Sequence, residues 1–255
     1  MQALTGGLDP AAFALALAIT LFAGVMKGIV GFALPLIMVA GFAGFMPHKL
    51  AIVAILLPIL VTNAQQALRD GPGPMKLAMR DYARLLAAMV VMLLVSTQLV
   101  RFVPERAALL VLAIPITLYA AIQLAGVPLT VPLHHRNRAQ WISGAVAGLY
   151  GGLSGVWGPP IVVYLLSAGT EKRAMLRAQG MLFLLGGAVA MAGHWIAGTL
   201  TWQAFGFSAV LTVPAVLGTR IGDRLLDHVD QAQFRRFSQL LLVVAGLNLL
   251  RQAVL

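Results

Sequence analysis

Gly24-Val25-Met26-Lys27-Gly28-Ile29-Val30-Gly31, followed by Pro35, and Gly148-Leu149-Tyr150-Gly151-Gly152-Leu153-Ser154-Gly155, followed by Pro159 and Pro160, decide how this chain folds. Each interrupts an apolar stretch, 10 to 46 and 141 to 168, that is too long for one crossing of a hydrocarbon core about 30 Å thick. Around them lie six stretches of spanning length, at about 49 to 68, 82 to 101, 105 to 125, 174 to 197, 201 to 219 and 235 to 254. An offset of 124 places Gly24 on Gly148, Gly28 on Gly152, Gly31 on Gly155, Pro35 on Pro159 and Lys49 on Arg173. Apolar segments broken by glycine and proline at matching places in two halves are the signature of a transporter built from repeats, with its binding site at the breaks. Glycines that only let helices approach closely would explain the spacing of the small residues, but not the prolines or the common register.

Composition supports a membrane setting. Of 255 residues, 60% are hydrophobic and 10% charged, whereas a soluble domain has about 25% charged residues. The net charge of +10 does not point to nucleic acid, because the basic residues gather at the ends of apolar segments. Residues Met1 to Pro10 carry no Lys or Arg, so the first apolar stretch is expected to belong to the mature fold. Cysteine is absent, which removes disulfides, thiolate metal sites and a thiol nucleophile.

Charge also discriminates between topologies. If each broken stretch crosses once, the basic residues other than Lys27 divide 10 against 7, which orients nothing. If each goes in and returns, 13 fall on one side: Arg69, Lys76, Arg80 and Arg84, then Arg136 and Arg138, then Lys172, Arg173 and Arg177, then Arg220, Arg224, Arg235 and Arg236. Only 4 fall on the other: Lys49, Arg101, Arg106 and Arg251. The positive-inside rule selects the second arrangement. The expected fold is therefore an all-α membrane protein of two inverted repeats, each a glycine- and proline-broken helix pair plus three transmembrane helices. The repeats cover 1–125 and 141–255, joined by a cytoplasmic linker at 126–140, with both termini periplasmic in a bacterial inner membrane. Half-segments of roughly 15 residues would reach about 22 Å, leaving both breaks inside the bilayer.

The duplicated segments, the run Thr62-Asn63-Ala64-Gln65-Gln66, and Val216-Leu217-Gly218-Thr219-Arg220-Ile221-Gly222 leading into Phe234-Arg235-Arg236-Phe237 resemble the TauE/SafE family of sulfite exporters. The resemblance implies carriage of a small anion such as sulfite, or of another sulfur-containing or organic anion. The pseudo-symmetry is imperfect, since Ser96 and Val100 stand where the second half has Gly218 and Gly222.

Lys27 is the sharpest chemical feature, an ionisable residue at a break with no acidic residue near it in sequence. Such a group costs on the order of 3 kcal/mol to insert and marks a pathway or ligand site unless it snorkels to an interface. Breaks at Gly28 to Gly31 and Gly152 to Gly155 would leave helices beginning near Ala33 and Pro159 with free N–H groups, which bind anions. Asn63, Gln66, Ser154, Trp157, Gln179 and His194 can donate hydrogen bonds to oxyanion oxygens, although each could equally join one helix to another. The expected substrate site is thus Lys27, Gly28, Gly31, Asn63, Gln66, Gly152, Ser154, Gly155, Trp157, Gln179 and His194, near the membrane midplane. Every Asp and Glu falls in a loop or at a span end, which argues against a cation pump. His194 is the single histidine inside an expected span and the one candidate for a protonation switch there. The run His134, His135, Arg136 and Arg138 reads as a basic cytoplasmic loop.

Together these features predict a secondary transporter and exporter working by alternating access. It would act on a small anionic substrate in the lipid bilayer, with no nucleic-acid partner, cofactor or metal, and could form a homo-oligomer. An anion channel using the same breaks is the alternative. An intramembrane enzyme is disfavoured, because the spans hold no carboxylate pair, cysteine or histidine pair.

Overall fold

The computed structural model describes residues 5–42, 44–99, 133–154, 157–196 and 201–254, with 110, 114, 117–119, 121–122 and 124–127 between them. Among these residues the protein is helical, without strands. The helices are α1 (Pro10–Val30), α2 (Ala33–Phe42), α3 (His48–Leu68), α4 (Pro72–Asp81), α5 (Ala83–Leu99), α6 (Arg136–Ser154), α7 (Gly158–Ser167), α8 (Lys172–Ile196), α9 (Trp202–Leu226) and α10 (Gln231–Val254). A single 3₁₀ turn at Leu133–His135 precedes α6, so the linker expected over 126–140 ends in helix from Arg136 onward. Most of the span expected at 105 to 125 lies outside the described residues. Pro10–Val30, Lys172–Ala192 and Ala204–Leu226 are long and apolar enough to cross a membrane, and Ala33–Phe42, Val53–Leu68, Ala83–Ser96 and Gly158–Ser167 are shorter apolar helices.

Local chemistry sets the boundaries. Asp9 caps α1, its carboxylate accepting from Ala11 N and Ala12 N at 2.9 and 3.0 Å, and Pro10 occupies the first turn, where a missing N–H costs nothing. The helix stops at Gly31, whose φ of 90° is open to glycine and strained for other residues; its N–H returns to Lys27 O at 2.6 Å. Pro159 and Pro160 likewise occupy the first turn of α7. The two broken stretches are unequal pairs rather than matched halves: 21 and 10 residues for α1 and α2, 19 and 10 for α6 and α7. At 1.5 Å per residue α1 runs about 31 Å, the thickness of a hydrocarbon core, whereas α2 runs about 15 Å.

The chain divides into two compact units, Met1–Arg69 with Gly180–Asp230, and Asp70–Gln179 with Gln231–Leu255. Each unit draws helices from both sides of the linker. In the first, α1, α2, α3 and α9 share a core of Ala16, Ala23, Leu34, Met38, Phe42, Ala54, Ile55, Phe207, Leu211 and Ala215. The α1–α9 seam is built from glycine. A Cβ on Gly24 or Gly28 would strike the backbone carbonyl of Ala215 or Thr219, and one on Gly218 or Gly222 that of Leu21 or Val25, all closer than 3.0 Å. Two small-xxx-small faces therefore interlock backbone to backbone, and because Gly24 meets Gly218 while Gly28 meets Gly222, the helices run parallel.

Helix α3 runs in the same direction, since Leu57 lies beside Ser208 and Arg69 beside Asp223. Pro58 lies inside α3 and lacks the N–H that Ala54 O would have accepted. Ser208 of α9 repairs the gap: its Oγ donates to Ala54 O at 2.9 Å and accepts from Leu57 N at 3.1 Å. Unsatisfied backbone groups cannot be left facing lipid, so this repair is what lets a proline sit in the helix. As α1 and α3 are both parallel to α9, α2 lies between two helices that run in the same direction.

In the second unit α5 and α6 pack by the same device. A Cβ on Gly144 would strike Leu85 O and one on Gly148 would strike Met89 O, and Ser96 Oγ donates to Gly148 O at 3.0 Å. These helices are also parallel. At one end of the unit Gln140 Nε2 donates to Asp81 O at 2.8 Å, Tyr82 and Tyr164 meet edge to face at 6.4 Å, and Gln231 accepts from Lys172 N at 2.9 Å.

Candidate functional site

Lys27 stands in the last turn of α1, one turn before the Gly31 break, and is 2% exposed. Its Nζ donates to Gly31 O at 3.2 Å and to Asn63 Oδ1 on α3. Both acceptors are neutral. The ammonium thus hydrogen-bonds only to neutral oxygens at the start of α2, beside a helix N-terminus that carries about half a positive charge of its own. Lys27 therefore stands where the C-terminal end of α1, which favours a cation, meets the N-terminal end of α2, which favours an anion. Lysine is suited to it because a compact ammonium on a four-carbon stem can reach the break from one turn away.

Of the residues expected at the site, the structure brings Lys27, Gly31 and Asn63 together. Gln66 follows Asn63 by three residues on α3 and is buried where the backbone of Gly180 crosses Gln66 and Ala67. Gly28 and Gly152 are not at breaks; they lie inside α1 and α6, and Gly28 serves the α1–α9 seam instead. The physical reason is that a flat helix face needs glycine as much as a turn does, and only the left-handed φ of Gly31 distinguishes the two uses. In the other unit, Trp157 precedes α7 and packs on Gly151, while Gln179 is fully buried with neither amide atom hydrogen-bonded among the described residues. Ser154 ends α6, with its side chain outside the described residues, as are Gly155 and the side chain of His194.

Two residues join this neighbourhood that sequence reasoning did not select. Asp223 sits in the last turn of α9, inside an apolar span, with its backbone N against Gly28, and its charge is felt at Lys27. Arg69, the residue after α3, pairs with Asp223 at 3.2 Å and reaches Asp227 at 4.0 Å. Lys27 has no acidic residue near it along the sequence, but the fold brings Asp223 close to its helix end. The signal was present in the two glycine pairs: setting Gly24 and Gly28 against Gly218 and Gly222 puts the next residue, Asp223, beside Lys27. The pair is a quarter to a third exposed, so its own contribution to stability is small.

Apolar helices packed through glycine, a proline repaired by a serine and a buried lysine at a helix break define a polytopic helical membrane protein. The sequence matches the family model described as sulfite exporter TauE/SafE over residues 16–249, and the chain belongs to that family of membrane transporters. No curated protein and no solved structure matches it.

Proposed function

We propose that the protein is a secondary transporter, working as an exporter, of a small anion such as sulfite or another sulfur-containing or organic anion, by alternating access around a site at Lys27. The observation that carries this reading is a buried ammonium whose hydrogen-bond partners among the described residues are two neutral oxygens, at the start of α2. Burying such a charge costs several kcal/mol unless something offsets it; Asp223 acts on it from the end of α9, and an oxyanion seated between Nζ and the N-terminus of α2 would add a direct partner. Asn63 orients the ammonium, Gly31 makes the turn that brings it to the break, and family membership supplies the class of cargo. Protein reconstituted in vesicles should move sulfite, thiosulfate, sulfoacetate or a simple carboxylate with saturable kinetics. Flux that never saturates would favour the anion channel, and activity without any gradient would revive an enzyme.

The chain in this reading is two inverted repeats, 1–125 and 141–255, joined by a cytoplasmic linker, with both termini periplasmic in a bacterial inner membrane. Two features support it: the parallel glycine seams of α1 with α9 and of α6 with α5, and the place of α2 between the parallel helices α1 and α3. Since the chain has no cysteine, single cysteines report sidedness cleanly. An impermeant thiol reagent should label a cysteine at position 3 from outside intact cells and leave one at position 135 untouched. The reverse pattern would overturn the orientation.

A further inference from the structure

We propose that the α4–α5 corner and the start of α6 form a docking surface for the headgroups of anionic phospholipids. This inference does not depend on the transport reading. Helix α4 is short and strongly two-faced: Ala78 is buried against the protein, Lys76 and Arg80 project from the opposite face, and Leu77 and Met79 flank them, 57% and 38% exposed. One helical turn further, exposed Arg84 opens the first turn of α5. The Gln140–Asp81 bond brings the beginning of α6 to the same corner, with Arg136 and Arg138 exposed.

Lys76, Arg80, Arg84 and Arg138 make no ion pair among the described residues. Asp81, the one carboxylate within the corner, is itself exposed at the end of α4. Five cations against one carboxylate, beside exposed Leu77, is the pattern of a helix lying along a bilayer surface. The basic face meets phosphate oxygens while the apolar flank enters the boundary of the acyl chains. A solvated loop would need neither the leucine nor the helix. The positive-inside rule explains the cations as an orientation signal, but such a signal acts at insertion and leaves purified protein indifferent to headgroup charge.

The experiment is a titration of the purified full chain in neutral detergent with phosphatidylglycerol or phosphatidylcholine, reading bound lipid by native mass spectrometry and unfolding temperature in parallel. Wild type should bind and be stabilised by phosphatidylglycerol in preference to phosphatidylcholine. The triple variant Lys76→Gln, Arg80→Gln, Arg84→Gln should lose about fivefold in that preference per charge removed, roughly a hundredfold in all. Its unfolding temperature without added lipid should match wild type. The charge-preserving set Lys76→Arg, Arg80→Lys, Arg84→Lys should keep the preference, which separates a lost contact from a damaged fold. Equal binding of the two lipids by wild type, or an undiminished preference in the triple Gln variant, would overturn the proposal. So would displacement of phosphatidylglycerol by inorganic phosphate at comparable concentration, since the surface would then recognise a free anion and not a bilayer.

Discussion

Gly222→Val is expected to leave little folded protein in the membrane. The valine Cβ would have to occupy the place of Val25 O and the Cα of Gly28, and neither is a side chain that can rotate away. Overpacking a well-filled core costs about 1–3 kcal/mol where side chains can yield, and here only separation of α1 from α9 relieves the clash. Separation opens the whole seam, because Gly24, Gly28 and Gly218 are equally close to the facing backbone. It would also pull Gly28 from Asp223 and loosen the shared core around Ala23 and Ala215. Size-exclusion profile and thermal unfolding of the detergent-solubilised variant are the measurements. Gly73→Ala, where an added Cβ meets nothing within 4 Å, is the control and should stay within a few tenths of a kcal/mol of wild type or gain slightly from helix propensity. A Gly222→Val protein unfolding at the wild-type temperature would mean that α1 and α9 are not packed through these glycines.

The sequence made the helices legible because their signals are strong: long apolar runs with basic residues at their ends, and glycine interruptions followed by Pro159 and Pro160, which the structure places in the first turn of α7. It also made Lys27 legible, since an isolated charge in an apolar run has few structural explanations. It could not say which glycine does what. Gly24, Gly28 and Gly31 look alike in a string of letters, yet the first two face another helix and the third turns the chain. Nor could it divide the broken stretches correctly, because nothing in the sequence marks how far α1 continues before φ changes sign. The Ser208 repair of Pro58 and the closeness of Asp223 to the α1 end that carries Lys27 join residues about 150 or more apart, which no local pattern encodes. The pairing of α1 with α9 was accessible in principle, since both carry glycines four apart, but choosing α9 as the partner requires the fold.

Lys27 carries the other large effect. Replacement by Met keeps most of the side-chain volume and removes the ammonium, so anion binding would rest on the N-terminus of α2 and on neutral donors, each contributing on the order of 0.3 to 2 kcal/mol. A hydrogen bond to a charged group is worth about 1.5–3 kcal/mol, so affinity for the transported anion should fall roughly 10- to 100-fold. Lys27→Glu should abolish transport altogether, because it places a carboxylate beside Asn63 Oδ1 and Gly31 O, both acceptors, and within range of Asp223. Lys27→Arg is not expected to rescue, since a planar guanidinium is wider than the ammonium that this buried corner encloses. Asn63→Ala should have a smaller effect than Lys27→Met, as it removes the group that orients the ammonium and leaves the charge in place. All variants must be compared at equal amounts of folded protein, with thermal unfolding as the check. Loss of the lysine relieves a desolvation cost as it removes two hydrogen bonds, so the stability of Lys27→Met should change far less than its affinity. Unchanged affinity and transport rate in Lys27→Met would show that the lysine only tethers α1 to α3 through Asn63, and the anion would then have to be sought elsewhere in the chain.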